Sequence, residues 1–481
     1  MSPVVAAVEC RNYDREMVYS SVVRAITLAG GLPPLNGKKV LIKPNLLTHS
    51  KDCIERGVCT HPDVIYAVAR YVIEQGGIPN IVDTPGGGLS SGIMSAVYRN
   101  CKISAIAEEL NITLNTDIPY SEMENPSGKS VKNFLIINPV LESDVIISVC
   151  KLKTHVLTHY TGAIKNTFGV VPGLHKSRMH RRFQRLDDFS NMLIDLNEIV
   201  NPDFVIMDAI YGMEGDGPAN GTPKNIGYVL ASSSIYATDI VAQKMIGVDP
   251  FSVPTTVAAI QRNKVNTDDI VTVGDEIVPT SDFKMPHSYQ AQPNWQPSKE
   301  DAGISYIIYF IRKKFSRCLE ILGHSQRYKP LITPSLCIGC GKCLRHCPAH
   351  AIILENQKVH INHKLCIHCS GCDDICRNNA ITRDNRVKGI GHITRLLRHH
   401  LYAFPSVIPE KCIGCSQCEK ICSVDAVHIV DKIARFDTKK CIRCYCCHEM
   451  CNYSAIEIVS PAWIRLGRKV KRKLSAIFTA R

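Results

Sequence analysis

Of the 23 cysteines in this 481-residue chain, 17 fall between Cys337 and Cys451, and their spacing repeats. Cys337, Cys340, Cys343 and Cys347 set a C-x-x-C-x-x-C-x-x-x-C pattern that recurs 29 residues later at Cys366, Cys369, Cys372 and Cys376. It returns at Cys412, Cys415, Cys418 and Cys422, and again 29 residues later at Cys441, Cys444, Cys447 and Cys451. The two pairs lie 75 residues apart, so this is a duplication of a duplication. A thiolate at every third position lets a tight loop wrap one iron–sulfur cube. The fourth cysteine then starts a helix that points across to another cube. Crossed ligation predicts four [4Fe–4S] clusters. Their ligands would be Cys337, Cys340, Cys343 and Cys376; Cys366, Cys369, Cys372 and Cys347; Cys412, Cys415, Cys418 and Cys451; and Cys441, Cys444, Cys447 and Cys422. Zinc knuckles, the competing reading, use paired cysteines and not three plus a remote fourth.

Within each run the last cysteine is followed, after three residues, by Ala and then Ile or Val, as in Ala351-Ile352 and Ala426-Val427. Only Cys347 precedes a proline, Pro348. Arg377, Ser423 and Asn452 take that place elsewhere, which predicts more solvated or differently tuned clusters there. Cys446 is an alternative ligand to its neighbour Cys447, although the repeat favours Cys447. His346, His368 and His448 lie inside the runs and suit hydrogen bonding better than ligation.

Chemistry of a different kind is spread over the first half. Lys43, Asn45, Lys153, His155, Lys165 and Asn166 are cations and amide donors at strand ends and in loops. Such groups suit an anionic small molecule, a carboxylate or phosphate; the bland reading is ion pairs on a solvated surface. Asp83, Asp208 and Asp216 could supply acid–base or metal-binding groups, or only ion pairs. Gly86-Gly87-Gly88 is a loose phosphate-loop candidate without the G-x-G-x-x-G or Walker pattern. The basic run His175, Lys176, Arg178, His180, Arg181 and Arg182 reads as a lid over an anion or as a solvated turn.

The elements that must position these groups alternate. Apolar β-branched runs at Val4–Val8, Lys39–Leu47, Pro79–Asp83, Asp144–Cys150, Asp203–Ala209, Asn225–Ala231 and Ile270–Val273 are interleaved with helical periods such as Met17–Leu28, Val64–Ile73, Phe183–Ile199 and Tyr236–Met245. This predicts an α/β fold, an N-terminal mostly parallel-sheet domain over residues 1–282. A linker and amphipathic helix follow over 283–330. Two small α+β ferredoxin-like two-cluster modules occupy 331–384 and 406–460, joined by a linker helix over 385–405. Trp463, Leu466, Val470, Leu474, Ile477 and Phe478 alternate with basic residues, which predicts a basic amphipathic tail over 461–481.

Lys43-Pro44-Asn45, Asp83-Thr84-Pro85-Gly86, Lys151-Leu152-Lys153-Thr154-His155 and Thr161-Gly162-Ala163-Ile164-Lys165-Asn166 resemble the family known as domain of unknown function 362, in which a ferredoxin module commonly follows. The resemblance implies this two-part architecture and no established reaction. His155, Thr161-Gly162 and Lys165 are also similar to a stretch of the nickel-pincer lactate racemases, where a catalytic His precedes a Gly-rich turn and a cofactor-anchoring lysine. Ala163-Ile164 stand where that family has Gly-Arg. His155 and Lys165 are the candidate catalytic residues, and by their chemistry Lys43, Asn45, Asp83, Lys153 and Asn166 are the candidate substrate-binding residues.

Composition narrows the remaining classes. With 45% hydrophobic and 21% charged residues the chain is ordinary globular protein. Its N-terminus lacks a basic signal-peptide start, and its apolar runs are too short to span a bilayer. The net charge of +13 resides entirely in residues 331–481, where 24 Lys and Arg oppose 11 Asp and Glu. Each oxidised cube with its thiolates contributes about −2, so four offset most of that excess. Nucleic-acid binding is therefore not expected. The expectation is a cytoplasmic iron–sulfur protein of an anaerobe. It would pass electrons between four clusters and an α/β domain that binds an anionic small molecule, and would be served by a redox partner protein. A ferredoxin-linked oxidoreductase and a plain electron carrier with a docking domain both remain open. The tail adds an expected contact with an anionic membrane surface or an acidic partner.

Overall fold

The computed structural model describes residues 2–86, 89–280 except 184, 282–286, 289, parts of 329–384, and 404–459 except 423, 439 and 442. Cys369, Gly87, Gly88, His346, His368 and the segments 303–322, 385–403 and 461–481, where helices are expected, lie outside the described residues, while Phe404 and Pro405, expected at the end of the linker helix, are in a strand.

The N-terminal domain is built on β1 (Val4–Glu9), α1 (Arg15–Leu28), β2 (Lys39–Pro44), α2 (Pro62–Glu74) and β3 (Ile78–Ile81). After them come α3 (Ser91–Asn100), α4 (Ile103–Glu109), the hairpin β4 (Tyr120–Glu124) and β5 (Asn133–Ile137), and α5 (Asn138–Leu141). Next are β6 (Val145–His155), β7 (His159–Thr161), α6 (Ala163–Asn166), α7 (His175–Arg182) and α8 (Leu186–Val200). The domain closes with β8 (Phe204–Asp216), β9 (Asn220–Ser232), α9 (Ile235–Met245), α10 (Pro254–Gln261) and β10 (Val271–Gly274). Local chemistry starts the helices: the Asp14 carboxylate accepts the Met17 N–H at 3.0 Å, and Pro62 opens α2 where its missing N–H costs nothing.

The strands form one sheet in the order β10-β1-β9-β8-β6-β2-β3, with β7 beside β6. The pairs β2–β3, β2–β6, β6–β8 and β1–β10 are parallel, as the alternating pattern predicts. β9 runs antiparallel to both β8 and β1, because the short 217–219 connection is too brief for a crossover and forces a hairpin. Beyond the sheet edge this hairpin continues as a two-stranded ribbon to its tip at Asp216 and Asn220. Helices cover both faces over one continuous apolar core, and all eleven residues of β6 are buried.

Each cysteine-rich module consists of two antiparallel strand pairs. In the first, β11 (Lys329–Ile332) pairs β14 (Ile381–Asp384) and β12 (Ile352–Glu355) pairs β13 (Lys358–Ile361), with α11 (Lys342–Arg345) between. In the second, β15 (Phe404–Val407) pairs β18 (Ile456–Val459) and β16 (Val427–Val430) pairs β17 (Ile433–Phe436). Two short helices, α12 (Gln417–Ile421) and α13 (Cys446–Glu449), complete it. Among the described residues, the buried cluster of each module is a handful of small aliphatics and two cysteines, little apolar matter for an independent core.

Candidate functional site

The cysteine geometry suits iron–sulfur ligation. Cys412, Cys415, Cys418 and Cys451 line one small cavity, closed by Ile413, Ile429 and Ile456. Its four thiols are the set that crossed ligation requires. Burial, and then the charges of Cys444 and Cys422, push the Cys441 thiol up to about 11. Cys447 is held well above the usual thiol range by burial and by Cys444, Cys441, Cys418 and Cys422. Cys422, from the other run, is thus near enough to Cys441 and Cys447 to be felt electrostatically, as crossed ligation requires. In the first module Cys337 and Cys343 are buried with Cys347, Cys372 and Cys376 packed against them.

The alanine of each repeat has a specific role. The N–H groups of Ala351, Ala380, Ala426 and Ala455 donate to the sulfurs of Cys347, Cys376, Cys422 and Cys451 at 3.3, 3.3, 3.1 and 3.2 Å. All four alanines are buried, where a larger side chain would push against the ligand loop. Such N–H donors favour the thiolate and tune a metal bound to it.

The second module rests on the N-terminal domain. Asn452, directly after Cys451, meets the loop that follows β2: Thr48 Oγ1 donates to its side chain at 2.5 Å, and its amide lies 3.0 Å from His49 Nε2. At the hairpin tip, the Asn220 amide donates to the Ile456 carbonyl at 3.0 Å. His448 bridges the same seam: Nδ1 is 2.7 Å from the Ile456 carbonyl and Nε2 is 3.2 Å from that of Asp216. The ring is thus engaged in hydrogen bonding at the seam, and Asn220 Nδ2 also lies 3.2 Å from its Nδ1. Val156, Leu157, Tyr445 and Ile458 add an apolar contact.

Between the two parts lies a cavity of about 60 Å³, room for a group the size of a carboxylate or phosphate. The domain side supplies Asn45, Asp83, Thr84, Lys153, Lys165, Asn166, Lys176 and His180, and the module side Ile421, Cys446 and Met450. Three lysines here oppose one carboxylate, and that carboxylate is already engaged. Lys43 Nζ donates to Asp83 Oδ1 at 2.8 Å, to the Pro44 carbonyl at 2.8 Å and to Asn166 Oδ1 at 3.3 Å. The other Asp83 oxygen accepts the Leu46 N–H at 2.6 Å. Gly169 has no side chain because one would collide with Asp83 and Lys43. Lys153 Nζ donates to Asn45 Oδ1 at 2.7 Å.

Lys176, the second residue of α7, donates to the Thr84 and Pro85 carbonyls at 2.8 and 3.1 Å. Burial, reinforced by the positive charges of Lys43 and Lys165 against the pull of Asp83, brings its ammonium down to about 7. His180 stacks on Phe189 with ring centroids 4.5 Å apart, so the basic run forms a packed helix over the cavity. Gly86 abuts the Met450 side chain, which would have to move aside for any added Cβ.

Of the residues expected from sequence, the cavity brings together Asn45, Asp83, Lys153, Lys165 and Asn166, with Lys43 directly behind. His155 is not among its lining residues: it is fully buried, and its Nδ1 accepts the N–H groups of Leu157 and Thr158 at 3.0 and 3.3 Å. Asp208 pairs with Lys151 at 2.8 Å and also accepts the Tyr13 hydroxyl, deep in the domain. Asp216 contributes its carbonyl to the interface. Sequence reasoning did not single out Asp239, whose carboxylate accepts the Ala163 and Ile164 N–H groups at 2.6 and 2.9 Å. That cap fixes the turn presenting Lys165 and Asn166, and burial raises its pKa to about 7. No sequence pattern links Asp239 to a turn 76 residues away.

The family model "Domain of unknown function (DUF362)" matches residues 40–244, and two models of 4Fe-4S dicluster domains match residues 329–377 and 365–426. The dicluster matches imply bound iron–sulfur clusters. The thylakoid-associated protein sll1697 of Synechocystis is 31% identical over 264 residues, covering 53% of this chain and 78% of that protein. A structure of the lactate racemase apoprotein from Thermoanaerobacterium thermosaccharolyticum aligns at 12% identity and a TM-score of 0.32. That alignment covers 52% of this chain and 58% of the racemase, and is too loose to carry any site residue across. The chain belongs to the DUF362 family and carries 4Fe-4S dicluster domains after its α/β domain.

Proposed function

We propose that this is an iron–sulfur electron-transfer protein with four [4Fe–4S] clusters, whose α/β domain binds an anionic small molecule at the seam with the second module. The observation that carries this reading is the shared cavity. Its lysine-rich wall belongs to one part and its Cys446–Met450 wall to the other, next to the ligand candidates Cys444 and Cys447. When bound, the clusters supply one-electron carriage at low potential. The protein supplies the rest: Lys153 and Lys165 attract the anion, Asn45 and Asn166 orient it, and α7 with Met450 limits water. Four crossed cysteine sets call for sixteen irons per chain, four in each cube.

The test is anaerobic purification with iron and sulfide counted, then measurement of cluster potentials with and without phosphate or a small carboxylate. The expected result is an anion-dependent shift that Lys165→Ala abolishes while iron content stays full. A second reading, an electron carrier whose α/β domain only docks the module, draws on the interface hydrogen bonds of Asn452 and His448. Potentials indifferent to every anion tried would favour it. Among the described residues no helix is long and apolar enough to cross a membrane. The name of the Synechocystis relative places that protein at the thylakoid.

A further inference from the structure

Away from the cavity, three cysteines outside the repeats converge. Cys53 and Cys59 belong to the loop between β2 and α2, and Cys101 directly follows α3. Cys53 Sγ lies 3.5 Å from Cys101 Sγ, which lies 3.7 Å from Cys59 Sγ, and all three sulfurs are within 4.8 Å of one another. Their relative exposures are 0%, 1% and 0%, so no bulk water reaches them. We propose that these three thiolates bind one soft, thiophilic d10 metal ion, Zn(II) or Cu(I).

Three observations support the assignment. Separations of 3.5 and 3.7 Å suit sulfurs around a single ion with metal–sulfur bonds of roughly 2.3 Å. They are too close together to serve an iron–sulfur cube, whose ligand sulfurs sit on different iron corners. The donor set contains sulfur alone, which selects soft ions over magnesium, calcium or manganese. The scaffold is also preorganised. The Cys53 carbonyl accepts the N–H groups of Val58 at 2.8 Å and Cys59 at 3.3 Å, closing the loop on itself before any ion arrives. Cys101 is fixed by its N–H bond to the Val97 carbonyl at the helix end. Charge is partly compensated too: Lys153 Nζ donates to the Val58 carbonyl at 2.8 Å, one residue from Cys59. Binding would release the thiol protons to solvent. Buried cysteines often serve merely as small hydrophobes, but packing alone does not require three sulfurs from two segments to meet.

The full chain, anaerobically purified with its iron in place, tests this. It is incubated with one equivalent of Zn(II), or of Cu(I) as a thiol complex, then desalted and analysed for zinc, copper and iron. One non-iron ion per chain is expected. X-ray absorption at the zinc or copper edge should count three sulfurs, joined for zinc by one lighter donor. Cys101→Ser should lose the ion and keep its iron. Absence of retained zinc and copper in the wild type overturns the assignment. So does a shell of four sulfurs, which would place the ion on the repeat cysteines, or a Cys53–Cys101 disulfide in the purified chain. If Cys101→Ser also loses iron, the wild-type absorption count alone decides.

Discussion

Lys176 is the residue whose chemistry responds most directly to its surroundings. Its ammonium is buried, hydrogen-bonded to Thr84 and Pro85 carbonyls, and brought down to about 7. An anion in the cavity favours the protonated lysine, so binding takes up a proton when pH is above that value. The sign follows: affinity is full below pH 7, where Lys176 is already charged, and declines as pH rises through 7. Calorimetric titration of sulfate, whose charge is constant between roughly pH 6 and 8, should show a several-fold loss over that range, on the order of 1 kcal/mol. Lys176→Met should bind weakly at both ends and flatten the profile. A profile in Lys176→Met as steep as that of the wild type would assign the titration elsewhere. Burial lowers the Lys43 ammonium as well, but Asp83 only 2.8 Å away opposes that pull directly. Lys43→Met would leave a buried carboxylate without its cation, at a cost of roughly 3–5 kcal/mol, visible as a lowered unfolding midpoint.

The β8–β9 hairpin and α13 hold the two parts together, and the hairpin can do so because its ribbon outruns the sheet. Asn220 at the tip donates to the Ile456 carbonyl of β18. Asn220→Ala should cost about 1–2 kcal/mol of interface stability and leave iron content unchanged. Amide exchange over Ile456–Val459 should quicken, while exchange over β6 stays protected. Much of this architecture could be read in the sequence because it is periodic. The four cysteine runs announce both modules, and strand–helix alternation announces the parallel sheet. Lys153, Lys165 and Asn166 were legible as neighbours because strand ends and the loops after them gather along one edge of an open sheet, and they do line one cavity. The pairing of the two parts was not legible. Asn220, Met450 and Gly86 carry no motif, and their roles exist only once distant segments meet. Cys53, Cys59 and Cys101 likewise show no metal-binding spacing in the sequence. The His155 side chain lies beside the motif but outside the cavity lining, where it accepts the N–H groups of the turn that follows it.

Charge behaves at the scale of the whole molecule in a way that no single part reveals. The chain carries +13, and residues 461–481 hold seven Lys and Arg with no Asp or Glu. Four oxidised cubes with their thiolates bring about −8, leaving the body near −2 and the tail strongly positive. We propose that the tail, and not the body, governs contact with anionic surfaces. Basic residues beside an anionic bilayer contribute about 1 kcal/mol each, and that attraction is screened by salt. The iron-loaded chain should therefore sediment with phosphatidylserine-containing vesicles at low ionic strength and release at high salt. A chain ending at residue 460 should stay in the supernatant throughout. Losing the clusters should strengthen binding by adding positive charge to the body, an effect opposite to that of ordinary unfolding around a buried site. Equal sedimentation of the shortened and full chains would move the contact onto the body and refute this charge division.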